Sequence, residues 1–320
     1  MPDTAAYAWA NSLMSSITNN IEQVVYGKEK AVQLVVATLA AEGHVLLEDV
    51  PGTGKTSLAS ALASSVNCYF RRIQFTPDVM PSDINGFSIY NQKTNDFEFR
   101  PGAVMANIVL ADEINRASPK TQSALLEAME EAQVTVDGKT HTLTQPFFVI
   151  ATQNPIEQYG TYPLPEAQID RFMCQLSIGY PERSSELKML RRDLDAKTRL
   201  RPVTNALEIL RLREITRTVH ASDDVCNYIL NIVEATRRSH ALALGSSPRG
   251  GLATLALARA WALIKGRHYV TVDDIKELAP YTLRHRLILT AEARAKGKTV
   301  NQVFDNILAG TRVPLGPARS

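Results

Sequence analysis

With 320 residues, 21% of them charged and 45% hydrophobic, the chain has the size for two domains and the composition of a globular rather than a disordered protein. No apolar run approaches the length of a bilayer span, and the opening MPDTAAYAWANSLMSS lacks the basic start and apolar centre of a signal peptide. The net charge of +2 conceals a division: residues 1–181 carry 11 Lys and Arg against 19 Asp and Glu (−8), and residues 182–320 carry 24 against 14 (+10).

A basic half points either to nucleic acid or to the acidic half of a second subunit, and the second reading is favoured by the motifs below. Cys68, Cys174 and Cys226 are odd in number, far apart and without metal-ligand spacing. They read as reduced packing residues of a cytoplasmic protein.

In chain order, residues 1–20 are expected as a leader. Residues 28–42 carry apolar side chains at helical spacing and stop at Gly43. HVLLED is a short buried-strand candidate, followed by a glycine loop and the helical SLASALASSV. Further strands are expected at 69–75, 107–113, 146–152 and 173–179, with the helical PKTQSALLEAMEEA among them. Strands alternating with helices predict a three-layer αβα domain on a parallel sheet, here placed at 21–181. Ligands of such sheets bind outside the strand C-termini.

Two segments alternate apolar and polar residues around polar turns, at 87–100 and at 134–144, the second around Asp137-Gly138. Both read as β-hairpin insertions. After Pro181 the pattern becomes helical almost throughout, which predicts an all-α domain at 182–310 and a tail at 311–320.

The glycine loop carries the chemistry. In EDVPGTGKTS, Pro51, Gly52, Thr53, Gly54, Lys55, Thr56 and Ser57 follow a strand and open a helix, the context in which backbone N–H groups cradle phosphates. Lys55 is expected to reach the β- and γ-phosphates and the Thr56 hydroxyl to coordinate Mg²⁺. Asp49 stands where a first loop glycine would fall, its carboxylate expected to point outward. Asp112, ending the strand NIVLADE, is the second expected Mg²⁺ contact, with Glu113 as general base. Asn154, ending PFFVIATQNP, is placed to orient water or the γ-phosphate. Arg171 and Arg249 are cations of the kind that stabilise phosphoryl-transfer charge. His44, Trp9 and Trp261 read as packing residues.

As a set, these phrases resemble the MoxR family of AAA+ ATPases: HVLLEDVPGTGKT, QFTPDVMPSDINGF, LADEINRASPKTQSALLEAMEE, FVIATQNPIEQYGTYPLPEAQIDRF, SPRGGLA and YVTVDDI. The resemblance covers residues 20 to 315. It implies that Lys55 and Thr56 are Walker A residues, Asp112 and Glu113 Walker B, Asn154 sensor 1, Arg171 the arginine finger and Arg249 sensor 2. It places adenine against Val25, Tyr26 and Gly27. The hairpins resemble the insertions of the branch that includes Mg-chelatase motors and MCM helicases. The resemblance leaves open whether Arg249 serves its own or a neighbour's site, and makes Arg116 a second candidate for crossing to a neighbour.

The implied protein is an ATP-hydrolysing, Mg²⁺-dependent ring, most often of six, that remodels partners carrying a von Willebrand factor A domain in complex maturation or metal-cofactor insertion. An acidic core and a basic lid would attract across each subunit junction. The alternatives are a DNA-directed motor and a nucleotide-sensing scaffold that does not hydrolyse. The first hairpin sets Lys93 and Arg100 against Asp96 and Glu98, and the second Asp137 against Lys139 with His141, so neither is basic and neither tip offers an expected stacking surface. That disfavours DNA. Glu113, Asn154 and Arg171 together disfavour the scaffold.

Overall fold

The structure, a computed structural model, describes residues 4–49, 52–154, 160–191 and 200–313. Its strands follow in chain order as β1 (Val45–Glu48), β2 (Phe70–Gln74), the hairpin β3 (Gly86–Asn91) and β4 (Asp96–Pro101), β5 (Ile108–Asp112), the hairpin β6 (Gln133–Val136) and β7 (Lys139–Thr142), β8 (Phe148–Gln153) and β9 (Cys174–Leu176). Five of them form one parallel sheet in the order β2-β5-β8-β1-β9.

The residues of these strands alternate between two buried clusters, as the period of two in a strand requires. Val45, Leu47, Ile108, Leu110, Phe148 and Ile150 enter one cluster, while Leu46, Val109, Ala111, Val149 and Ala151 enter the other. Burial on both faces explains why these strands read as continuous apolar runs. Each Leu or Ile buried here stabilises the fold by about 1.5–3 kcal/mol relative to exposure.

Helices α1 (Thr4–Glu22), α2 (Glu29–Ala40) and α3 (Lys55–Ser65) supply the first cluster, and α4 (Pro81–Asn85) and α5 (Pro119–Glu131) lie over the second. The expected leader is therefore mostly helix. Helix α1 buries Ala10, Leu13, Met14, Ile17 and Ile21, and its Asn11 Nδ2 donates to the carbonyls of Leu263 (2.7 Å) and Ile264 (3.1 Å). Interleaved Ser, Thr and Asn dilute its apolar content, but the three-and-four spacing still makes one stripe.

After α6 (Glu166–Ile169) and β9, the chain is helical: α7 (Arg183–Arg191), α8 (Ala206–Thr218), α9 (Asp223–Arg238), α10 (Pro248–Ile264), α11 (Val272–Leu283), α12 (Ala291–Ala295) and α13 (Val300–Gly310). Caps mark several boundaries: Ser222 accepts from Val225 N, and Thr271 and Asp274 form a capping box. One two-stranded antiparallel ribbon, β10 (Leu242–Leu244) with β11 (Ile288–Leu289), accompanies these helices. Runs of two and three residues are too short to show a strand period. The first buried cluster continues from the sheet into these helices through Leu212, Leu257, Trp261 and Leu278.

His44, Trp9 and Trp261 are packing residues. His44 Nδ1 accepts from Val149 N (3.0 Å) while Nε2 lies 3.2 Å from the Met129 carbonyl, and burial lowers its pKa to about 4. Trp261 is fully buried with its indole N–H on Glu277, and Trp9 lies beneath the Arg211 guanidinium. The tail residues 314–320 lie outside the described residues.

Candidate functional site

The expected site residues separate onto two edges of the sheet. At the C-terminal edge, β1 leads through Asp49 to Gly52 and Gly54, with φ of 86° and 90°. Those angles suit glycine, and a Cβ built at either position meets no atom within 4 Å, so the pair borders open space. Gly54 is the N-cap of α3 and supplies no side chain to its first-turn N–H groups. Lys55 Nζ donates to the Asp49 carbonyl at 3.0 Å. An open cradle of amides at the start of an 11-residue helix, with a lysine folded over it, fits a polyphosphate. Pro51 lies outside the described residues.

Asp49 does not point outward as expected. It is 5% exposed, and its carboxylate accepts from Ser177 Oγ (2.9 Å), Gly179 N (3.0 Å) and Ile178 N. A carboxylate can satisfy several donors where glycine would satisfy none, so this residue ties the loop's start to the chain leaving β9. That same segment lines a cleft of about 280 Å³ with Gly27, Ala31, Leu34 and Tyr281. Of the three residues expected at the adenine, Gly27 lines this cleft, Val25 packs in the core and Tyr26 is half-buried.

Asp112 and Asn154 extend this edge, both buried. Thr152 Oγ1 donates to Asp112 Oδ1 (2.7 Å) and accepts from Glu113 N (2.8 Å), which holds Glu113 in a left-handed conformation at φ 58°. Arg72 Nη2 donates to Asp112 Oδ2 (2.6 Å) and to Gln74 Oε1 (2.8 Å). Gln74 Nε2 and Arg116 Nη1 both donate to Glu113 Oε2, at 2.9 and 3.0 Å. Arg116 thus pairs with the carboxylate of its own chain.

Arg72 and Gln74 stand two residues apart on one face of β2 and were not foreseen, since a strand-end glutamine carries no motif. Among the described residues no group of three or more His, Cys, Asp or Glu could hold a metal ion. Asp112 already holds Thr152 on Oδ1 and Arg72 on Oδ2, so a cation here would have to take most of its ligands from phosphate and water, as Mg²⁺ usually does.

Arg171 and Arg249 lie elsewhere. Arg171 precedes β9, whose first residue Cys174 stands opposite Val45, the first residue of β1. It therefore sits at the N-terminal edge, and the four residues of β1 alone put roughly 13 Å between it and the loop. Both arginines meet on Glu130 at the end of α5: Arg171 Nη2 is 2.9 Å from Oε2, and Arg249 Nη2 donates to Oε1 at 2.6 Å. Glu130 and the neighbouring Arg286 carried no signal in the sequence, being one glutamate and one arginine among many.

The first hairpin corrects a further expectation. Phe97 is 62% exposed and Tyr90 48%, with their rings edge-on at 5.4 Å beside the turn, while Phe99 stacks on His141 of the second hairpin at 3.8 Å. A stacking surface therefore exists, produced by strand pairing that sets Tyr90 opposite Phe97.

Residues 44–174 match the family of ATPases associated with various cellular activities (AAA), and residues 234–307 match the AAA lid domain. The chain is 51% identical over 307 residues to the uncharacterised Bacillus subtilis protein YeaC, covering 95% of each. It is 41% identical over 303 residues to Chaperone MoxR1 of Mycobacterium tuberculosis, covering 92% of this chain and 80% of that one. A crystallised protein from Cytophaga hutchinsonii superposes with a TM-score of 0.91 at 37% identity, over 97% of this chain and 98% of the other.

Proposed function

Because this chain belongs to the MoxR family of AAA+ ATPases, we propose that it hydrolyses Mg²⁺–ATP in a ring and uses the cycle to remodel partner proteins. The observation that carries this reading is the placement of the loop and the arginine pair at opposite edges of one sheet. Arginines held at the opposite edge from their own loop support a reading in which they serve a neighbour's loop in a closed ring.

In this reading the amides of Gly52 to Ser57 and the Lys55 ammonium bind phosphate, and Gly27 and Ile178 border the base. Thr56 and Asp112 would hold Mg²⁺, which would neutralise phosphate charge. Glu113 takes the proton of the attacking water on its carboxylate, and Asn154 orients that water. Arg171 and Arg249 reach the next subunit's site together, which assigns Arg249 to act in trans. The basic C-terminal half facing an acidic core supports assembly. A hexamer, and partners with von Willebrand factor A domains, follow from the family resemblance.

The first hairpin favours a polypeptide over DNA. Its two basic and two acidic residues cancel, so nothing in it would release phosphate counterions, while its exposed aromatic face suits an apolar segment. Turnover of wild type and Glu113→Gln in Mg²⁺–ATP tests the enzymatic reading, and equal rates would sink it. Glu113→Gln held in ATP should also retain a von Willebrand factor A protein; nucleic acid retained through a salt wash would return the DNA-motor reading.

A further inference from the structure

Arg286 follows α11 in the helical region, and its side chain is 2% exposed. Two of its three guanidinium nitrogens, Nε and Nη2, are directed at the two residues that flank the expected arginine finger. Nη2 donates to the carbonyls of Asp170 (3.0 Å) and Phe172 (2.9 Å), which bracket Arg171, and Nε lies 2.8 Å from Asp170 Oδ1. Nη1 donates back to the Thr282 carbonyl in the last turn of α11 at 2.7 Å and also meets His285 Nε2.

Asp170 extends the link. Ser247, the N-cap of α10, places Oγ 3.2 and 3.1 Å from its two carboxylate oxygens, and Arg249 follows two residues later. Gly250 lets α10 lie close, since a Cβ there would come within 3.0 Å of Arg286 Cδ. Burial lowers the pKa of Arg286 to about 10 against the pull of Asp170, so it stays cationic at neutral pH. The neighbouring His285 is held neutral, its pKa pushed by burial to about 3.

We infer that Arg286 is a positioning residue that joins Arg171 and Arg249 into one two-arginine unit whose placement is set by the helical region and delivered to the neighbouring subunit. The inference rests on the reading that these arginines act in trans. A displacement of the helices carries Arg286, and through the two bracketing carbonyls it carries Arg171. Arg249 moves with α10, and Asp170 keeps the two in step. Glu130 then holds both guanidinium groups side by side.

The plain alternative is a buried arginine that only fastens helices to the core. Arg213 is such a residue and serves as the control: it is 3% exposed, donates from Nε to the Leu39 carbonyl (3.1 Å) and from Nη2 to the Phe147 carbonyl (3.3 Å), and touches neither arginine of the pair.

The test is complementation in mixed assemblies. Arg286→Gln should bind a fluorescent ATP analogue within about twofold of wild type yet turn ATP over about 10–100-fold more slowly, the scale expected from misplacing a charge by about an ångström. Adding an excess of Glu113→Gln subunits, whose own sites are inactive but whose arginine face is intact, should restore turnover at the Arg286→Gln sites. Arg171→Ala mixed with Glu113→Gln is the reference pair. Arg213→Gln should lower the melting temperature but leave turnover below that temperature unchanged. Should Arg286→Gln fail to fold, Arg286→Lys keeps the charge, loses the fork on the two carbonyls, and should give the same ranking. Rescue of Arg171→Ala without rescue of the Arg286 variant overturns the inference, as does an equal turnover loss in Arg213→Gln. Failure of the reference pair itself overturns the trans reading beneath it.

Discussion

The two edges of the sheet are built in opposite ways. The loop edge is largely contiguous: Gly52 to Ser57 come from one stretch, and Asp112, Glu113 and Asn154 from the ends of two adjacent strands. The arginine edge is assembled from four distant segments, at Glu130, Asp170 to Phe172, Ser247 to Arg249, and Arg286. A site made of backbone amides can be carried by a short motif, because local conformation alone presents the donors. A site made of side-chain charges needs tertiary packing to hold them against their mutual repulsion, here through Glu130 and Asp170. In the proposed reading the first edge binds and the second completes.

Separating binding from turnover gives the largest effect. Arg171→Ala is expected to cut ATP turnover by about 10³-fold or more, as loss of an arginine finger does, while nucleotide affinity measured by titration stays within about twofold. A matching loss of affinity would place Arg171 at its own chain's site and dissolve the distinction between the edges.

Asp49→Ala addresses the loop edge. It strands the Ile178 and Gly179 amides in a buried place, and unfolding by urea should show a loss of about 3 kcal/mol. A change below about 0.5 kcal/mol would mean that the tie between the loop and the chain leaving β9 carries no energy.

Acid should weaken the packing at the N-terminal edge, where His44 bridges β8 and the end of α5. Its pKa is about 4 in the fold and near 6.5 unfolded, so the unfolded chain binds the proton first. The stability it lends is complete above pH 6.5 and is lost as pH falls toward 4, amounting to about 2 kcal/mol at pH 5. His285, lowered to about 3, adds in the same direction. His44→Gln, which can still accept from Val149 and donate to Met129, should flatten this slope; an unchanged slope assigns it to other groups.

Arg72→Gln is the smallest change. Releasing Asp112 Oδ2 from a guanidinium should lower the Mg²⁺ concentration for half-maximal nucleotide binding about two- to fivefold, a gain on the scale of one exposed ion pair. An increase instead would show that Arg72 helps to bind the phosphates.

What the sequence made legible follows the same division. Strands buried on both faces stand out as apolar runs, and the glycine loop stands out because its φ values exclude most residues. The Asp49 carboxylate turns inward, against expectation, because its partners lie about 130 residues away, at Ser177 to Gly179. The exposed aromatic face of the first hairpin is not visible in the sequence because Tyr90 and Phe97 become neighbours only through strand register. Arg171 and Arg249 stand out in the sequence as candidates, but their meeting on Glu130 and the hold of Arg286 on both sides of Arg171 do not, since these arise from packing between segments distant in the chain.

The most direct measurement mixes Arg171→Ala subunits with Glu113→Gln subunits and follows ATP turnover across their ratio. If one chain's loop is completed by the next chain's arginines, the mixture exceeds both parents and peaks at intermediate ratios. Turnover that stays at the weighted sum of the two parents at every ratio would contradict the account.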